Sequence, residues 1–460
     1  MSTIKHGQRE AEAPLEKDTM RRVARRLLPI IIVCYLIAYI DRSNVSIAAL
    51  TMNHDIGLTA AAYGLGAGLF FATYIIFEIP SNLALSRFGA RRWIARIMIT
   101  WGIVAGCMAL VQGPTSFNTV RLLLGAAEAG FTPGMVYYLS QWFPSQHRGR
   151  ALARLYVGAA MATVIGAPIS GLILKMDGFA GLAGWKWLFV IEAIPAILLG
   201  FFVLKFFTDQ PRDATWLPAQ QREWLTTTLA EERHAVETQR TFTVRSALTN
   251  PGILLLALFF FFYSFDSIGL TLWMPQVIKG TFGVRSNLTT SLLTAVPYLF
   301  AVVLMLAVAR SMDRRGHPHL HMAVPMTIAG VLLALSVPAG ATLLGFLLLA
   351  ISTGFAWSAV PALWESATAF TTGMAAAAGI ALVNAVANIA GLSVPPVIGR
   401  VKDATGSFGI PLFIIAAALI AGAAVALISR RFTTPGKLAD QVASSPESTS
   451  GGDPITQEHE

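Results

Sequence analysis

The sequence predicts an all-α polytopic membrane protein with twelve transmembrane helices in two six-helix, pseudo-symmetric bundles. Three observations predict it. The 460 residues are 55% hydrophobic and only 13% charged, with mean hydropathy +0.61, whereas soluble domains carry about 25% charged residues. The apolar residues fall into blocks of about 20, the length a helix needs to cross the hydrocarbon core. Those blocks divide six and six about one long polar insert, residues 208–250.

Taken in order, residues 1–25 read as a polar, disordered N-terminal segment running into the basic MRRVARRLL. Six spans follow, near 28–50, 62–85, 94–112, 116–140, 151–175 and 186–207, a first bundle over 26–207. In the linker, 208–250, Trp224, Leu225 and Leu229 share one face of a short helix. That pattern suits a helix lying on the bundle or the membrane surface rather than a catalytic domain. Spans near 251–279, 286–311, 320–338, 341–365, 374–398 and 409–429 make a second bundle over 251–431. The tail, 432–460, has the composition of a disordered segment. A short echo relates the halves: SRFGARR (86–92) follows span 2, and DRRG (313–316) follows span 8.

The basic run before span 1 argues for a cytoplasmic N-terminus. Alternation then places RFGARRWIAR (87–96), HRGRALAR (147–154), RSMDRRG (310–316) and SRRF (429–432) inside. The loops expected outside, such as TMNHDIGLTA, VQGPTS and PAGAT, hold far fewer Lys and Arg. The inner loop ESATAFTTG before span 11 lacks basic residues and is the exception. The net charge of +9 therefore sets orientation and is not a nucleic-acid signal. The expected location is the cell inner (plasma) membrane, with both termini cytoplasmic. Span 1 is too long for a signal-peptide core and contains Asp41 and Arg42. Cys34 and Cys107 fall in apolar spans as packing residues. No Walker, HExxH, CxxC or GxSxG pattern occurs, so no enzyme activity, metal or cofactor is expected.

Ionisable residues inside spans are costly and mark function by default. In span 1, IIIVCYLIAYIDRSNVSIAAL, residues Tyr35, Tyr39 and Arg42 fall at i, i+4, i+7 on one face, with Asp41 about 100° away. In span 4, VRLLLGAAEAGFTPG, Arg121 and Glu128 are seven residues apart and share a face. An arginine stays charged when buried, and its fork matches a carboxylate. Arg42 or Arg121 therefore suits an anionic substrate. Desolvation favours the neutral form of a carboxylate, so Asp41 and Glu128 are candidate proton carriers. A proton on either carboxylate frees its arginine for a substrate anion. The competing reading is a pair of structural Arg–carboxylate bridges.

Softer candidates are Tyr74 and Glu78 on span 2, the latter equally suited to a gate, and Asn384 and Asn388 on one face of span 11. Trp364, Tyr298, Tyr263 and Asp266 follow, each more in keeping with packing or interface anchoring. Gly64, Gly66 and Gly68 read as close helix approach rather than a phosphate loop.

These blocks carry a resemblance. YIDRSNVSIA, FEIPSNLALSRFGARRWIARI, RLLLGAAEAGFTPGMVYYLSQWFP, GWKWLFVIEAIPAILLG, LWMPQVIK and LVNAVANIAGLSVPPVIGRVKDATGSF look like those of the major facilitator superfamily. Within it the chain resembles the anion:cation symporter family of organic-anion/proton symporters. Tartrate and phthalate permeases look nearest, and galactonate, glucarate and hexuronate permeases further away. The resemblance runs from about residue 25 to 431. It implies proton coupling at Asp41 and Glu128 and carboxylate binding at Arg42. It further implies roles for Arg121, Tyr39, Tyr74 and a span-11 Asn, either Asn388 or Asn384. One departure is Ser86, where the superfamily usually has an Asp, which weakens one lock of the outward-open state; Asp313 keeps the acid in the second half.

The expectation is thus a secondary active transporter importing a small organic carboxylate with protons by alternating access, working as a monomer in the lipid bilayer. Sodium coupling, exchange, or a non-transporting sensor on the same fold are the alternatives.

Overall fold

A computed structural model describes residues 2–238, 249–369 and 374–433. Every regular element among the described residues is helical. In lipid, a helix satisfies its backbone polar groups within one segment, which an open strand cannot do. The first half holds α1 (Ser2–Asp55), α2 (Ala60–Phe88), α3 (Ala90–Cys107), α4 (Pro114–Glu128), α5 (Phe131–Ser140), α6 (Ser145–Ile173) and α7 (Gly184–Phe206). The linker helix is α8 (Ala219–Thr238). The second half holds α9 (Pro251–Ser264), a π-turn over Phe265–Leu270, α10 (Thr271–Phe282), α11 (Asn287–Arg315), α12 (Pro318–Ala339), α13 (Leu343–Ser358), α14 (Val360–Ala369), α15 (Met374–Thr405) and α16 (Gly409–Thr433).

Eleven stretches among the described residues are long and apolar enough to cross a membrane. The remaining expected span, near 116–140, is α4 followed by α5. Ala129 leaves the helical region (φ −54, ψ 133) and Gly130 is left-handed (φ 85), so the rod breaks between them. The apolar side chains face outward, as a bilayer requires: Leu343 is 74% exposed and Ile79 71%. Asp41, Arg121, Glu128 and Glu192 are instead buried.

Within the first half α1 packs on α6, α2 on α4, and α3 on α7. In the second, α11 packs on α13, α12 on α16, and α9 on α15 and α16. The halves meet along α2–α15 and α6–α11. Glycine makes the first contact possible. A Cβ on Gly64 would collide with the Pro395 carbonyl, and one on Gly68 with Leu392 and Pro396. Polar contacts tie the same end of the bundle, the one carrying Asp55. Tyr63 donates to the Leu272 carbonyl at 2.9 Å and Lys279 to that of Leu50 at 3.3 Å. Asp403 of α15 accepts from the backbone N–H groups of Ala60 and Ala61 at 3.1 and 2.7 Å. A carboxylate there satisfies two of the free donors at the N-terminus of α2.

The echo between halves marks two helix ends. Gly89 stops α2 at φ 86 and Gly316 stops α11 at φ 64, a region that favours glycine. Ser86 is exposed and among the described residues bonds only its own helix, to the Leu83 carbonyl at 2.8 Å. The carboxylate at this corner comes from Asp209, which accepts from the Arg91 N–H at 2.8 Å.

One expectation is corrected. Residues 2–25 are not disordered but continue α1, and Met20, Val23 and Leu27 are buried. Their i, i+3, i+7 spacing extends the apolar stripe of span 1 into the basic run. In the linker, Leu225 and Leu229 are buried and Trp224 half-buried, and Glu232 meets Arg148 at 3.5 Å, so α8 rests on the first half. Linker residues 239–248 and tail residues 434–460 lie outside the described residues.

Candidate functional site

Three spans depart from regular α-helix around one cavity. Span 4 breaks at Ala129–Gly130, span 10 is interrupted at Ala359 between α13 and α14, and span 7 passes through the π-turn Phe265–Leu270. Spans 4 and 10 occupy the same place in each half. Discontinuous helices at corresponding positions are a feature of transporter binding sites near the midplane.

The cavity between the halves measures about 190 Å³, below the ~300 Å³ at which drug-sized pockets begin. It is small enough to select a small solute. Eight of the residues singled out in the sequence line it as the principal candidates: Tyr39, Asp41, Arg42, Tyr74, Arg121, Glu128, Asn384 and Asn388. Tyr35, Glu78, Tyr263 and Trp364 line it too. Tyr298 and Asp266 lie behind its wall; the former donates to Thr271 Oγ1 at 2.7 Å, and the latter is fully buried.

The first half supplies the charge. Arg42 Nε donates to Glu128 Oε1 at 2.5 Å, joining α1 to α4. The Glu128 side chain is 1% exposed and that of Arg42 24%. The guanidinium lies 5.6 Å from the Tyr39 ring, 5.2 Å from Tyr74 and 5.9 Å from Phe70. Its Nη2 and Glu128 Oε2 have no hydrogen-bond partner among the described residues. Arg121 behaves differently. It donates to the Gly66 carbonyl at 3.3 Å, stacks 4.8 Å from Phe70, and makes no ion pair among the described residues. Thus the arginine sharing a face with Glu128 on span 4 is not its partner; the partner comes from span 1. Asp41 accepts from Asn44 Nδ2 at 3.3 Å.

The second half supplies neutral groups. Asn388 Nδ2 donates to Glu78 Oε2 at 3.5 Å, across the halves. This contact gives Glu78 a bridging position between the halves. Asn384 lines the same wall.

Phe70, which lies under both guanidinium groups, was not singled out in the sequence. One aromatic in an apolar span carries no signal of its own. Glu192, buried on α7, was also missed, although an ionisable residue in an apolar span is the signal that picked out Asp41.

Two bundles about a cavity lined by two arginines and two buried carboxylates define a polytopic membrane transporter, not an enzyme. The Major Facilitator Superfamily profile matches residues 31–395, and the chain belongs to that family. It is 44% identical over 420 residues to a protein of Agrobacterium vitis named "Putative tartrate transporter", covering 91% of this chain and 96% of that one. A "Quinolone resistance transporter" of Acinetobacter baumannii is 39% identical over 407 residues, covering 88% and 94%. Among solved structures, the inward open conformation of the xylose transporter XylE from E. coli superposes with TM-score 0.71 at 16% identity, covering 91% of this chain and 98% of that one. At that identity the likeness is one of fold.

Proposed function

We propose that the chain imports a small organic carboxylate together with protons, by rocking of bundles 26–207 and 251–431 about the cavity. The observation that carries this reading is the Arg42–Glu128 pair beside an Arg121 that makes no ion pair among the described residues. Arg121 is then the standing anchor for a substrate carboxylate. Arg42 becomes a second anchor only when Glu128 takes up a proton and releases it. One proton and one anionic group thus enter together, which couples the two fluxes. Asp41, within reach of the charges of Arg121 and Glu128, is the other carrier. The two-arginine arrangement suits a dicarboxylate, and the A. vitis relative bears a tartrate name. The substrate class is therefore tartrate-, phthalate- or sugar-acid-like. The positive-inside pattern supports an inner-membrane location with both termini in the cytoplasm, and a cavity lined by both halves of one chain supports a functional monomer.

The test is uptake into proteoliposomes holding the purified full chain. Labelled tartrate, phthalate and sugar acids are offered singly, with a pH gradient, a sodium gradient or neither. Accumulation of one of these acids only with the pH gradient supports the reading. Accumulation under sodium alone, or exchange without any gradient, replaces proton coupling. Transport of a quinolone and none of the acids overturns the substrate class.

A further inference from the structure

Among the described residues, Asp266 is the one buried carboxylate with neither oxygen in a hydrogen bond. The others each have one partner: Asp41 accepts from Asn44, Glu128 from Arg42 and Glu192 from Ser170. Asp266 is 0% exposed and sits in the π-turn that joins α9 to α10. There the Thr271 N–H donates to the Asp266 carbonyl, five residues back, a looser turn that recurs at functional sites. Ser267, Ile268 and Thr271 line the cavity, and Asp266 does not.

Helices α9, α10, α13, α15 and α16 pack on this turn, and none brings a cation to its depth. Helices α9 and α13 carry no Lys, Arg or His. Lys279 stands in the last turn of α10, Lys402 in that of α15, and Arg430 and Arg431 in that of α16. Asp403 and Arg400 share the far end of α15, where Asp403 caps α2. The titratable groups at the depth of the turn are two phenols, Tyr263 of α9 and Tyr298 of α11. The Tyr298 hydroxyl donates to Thr271 Oγ1, and the Trp357 ring meets both phenols edge-on at 6.5 and 5.6 Å. An ionised carboxylate in such a place has neither counter-charge nor donor, so it stays buried only as the neutral acid.

The turn also stands at the base of a closure. Beyond it, α10 holds the Asp55 end of the bundle shut against the first half. The Leu272 carbonyl accepts from Tyr63 at 2.9 Å, the Trp273 and Tyr63 rings meet edge-on at 4.9 Å, and Lys279 donates to the Leu50 carbonyl.

We propose that Asp266 is a proton site in the second half, separate from Asp41 and Glu128, and that its protonation licenses closure of α10 at the Asp55 end. The inference rests on the proton-coupled import reading. With the proton in place, the π-turn packs dry and α10 reaches Tyr63 and Leu50. When the proton leaves, the O–H bond of Asp266 breaks and the proton passes to water. The carboxylate then needs solvent, which it gains only if the turn and the gate above it loosen. By linkage, whatever favours the closed gate favours the bound proton to the same degree. Asp266 is a positioning residue: it does not touch substrate and acts through α10.

The experiment follows labelling of a cysteine placed at Ala61, beside the closure, by a membrane-impermeant thiol reagent. The full chain in proteoliposomes is labelled at pH 5.5 and 8, with Asp266 intact and as D266N. Asparagine keeps the shape of the neutral acid and has no proton to lose. The labelling rate with Asp266 intact, divided by that of D266N, is expected to be close to unity at pH 5.5 and to rise about fivefold or more at pH 8. The ratio cancels the pH dependence of the thiol reaction itself. Asp266→Ser, also neutral, is expected to match D266N and replaces it should the Asn variant not fold. The same ratio at both pH values overturns the inference. Uptake of tartrate, phthalate and sugar acids under a pH gradient, in the same vesicles with Asp266 intact, separates the two readings. A constant ratio with uptake present removes the Asp266 site alone. No pH-driven uptake of any of these acids removes proton coupling and the inference with it.

Discussion

Arg42 Nε lies 2.5 Å from Glu128 Oε1, and Glu128 is the last residue of α4, at the point where span 4 breaks. The end of a helix carries the partial negative charge of its free carbonyls, an unfavourable place for a carboxylate. The guanidinium offsets both. The pair is therefore held together by a charge that a single proton removes, in a span already interrupted at that point.

Glu128→Gln mimics the protonated state. Uptake driven by a pH gradient is expected to be lost, while substrate counterflow, which needs no net proton movement, survives. A purely structural bridge predicts instead that the fold weakens by ~3–5 kcal/mol because Arg42 is stranded, with uptake, counterflow and melting temperature falling together. Proteoliposome assays beside a thermal melt separate these outcomes.

The two arginines are expected to differ in their pH behaviour. Arg121→Lys loses the planar fork of the standing anchor, so affinity falls at least about tenfold, ~1.4 kcal/mol, at every pH. Arg42→Lys weakens binding mainly at low pH, where Glu128 has released its partner. Titration calorimetry at pH 5.5 and 8 measures both. Equal losses for Arg42→Lys at the two pH values contradict the release step.

Asn388→Ala removes the amide that reaches Glu78 and faces the cavity. Hydroxylated acids are expected to lose ~1–3 kcal/mol of binding, and a bare carboxylate less. Competition assays with tartrate and succinate decide it; parallel losses exclude a selectivity role for this residue.

Gly66→Ala tests the packing of α2 on α4. The added methyl would overlap the Phe117 ring and the Asn118 side chain, an overpacking expected to cost ~1–3 kcal/mol. The melting temperature falls, and binding weakens as well because the Gly66 carbonyl holds Arg121. Gly113→Ala, with nothing within 4 Å of the added carbon, is the matched control.

Asp403→Asn weakens the cap that the second half places on α2. Loss of the charge–dipole term, ~0.3–1 kcal/mol at an exposed site, is expected to shift the conformational balance by a few-fold toward opening at the Asp55 end. Accessibility of a cysteine at Ala61 to a membrane-impermeant thiol reagent reports it, measured against the same cysteine without the Asp403 change. An unchanged labelling rate shows that the cap does not bias opening.

Much of the architecture was legible in the chain itself. Span positions and the six-plus-six division rest on hydropathy and helical period, which neighbouring residues decide. The intramembrane charges were legible for the same reason: Asp41, Arg42, Arg121 and Glu128 stand out against apolar surroundings. The helical N-terminus was read wrongly because polarity outweighed the weaker Met20–Val23–Leu27 stripe.

What the sequence by itself determined is which residues are out of place in a bilayer; which of them meet, only the tertiary structure decided. Spacing put Arg121 and Glu128 on one helical face, but the break after Glu128 and the approach of α1 hand that carboxylate to Arg42. Arg42 and Glu128 are 86 residues apart, Arg121 and the Gly66 carbonyl 55, and Asn388 and Glu78 310. A side chain's direction on its own helix follows from period. Its partner follows from how the helices rotate and pack against one another, and that depends on contacts such as Gly64 against Pro395 that no single span contains.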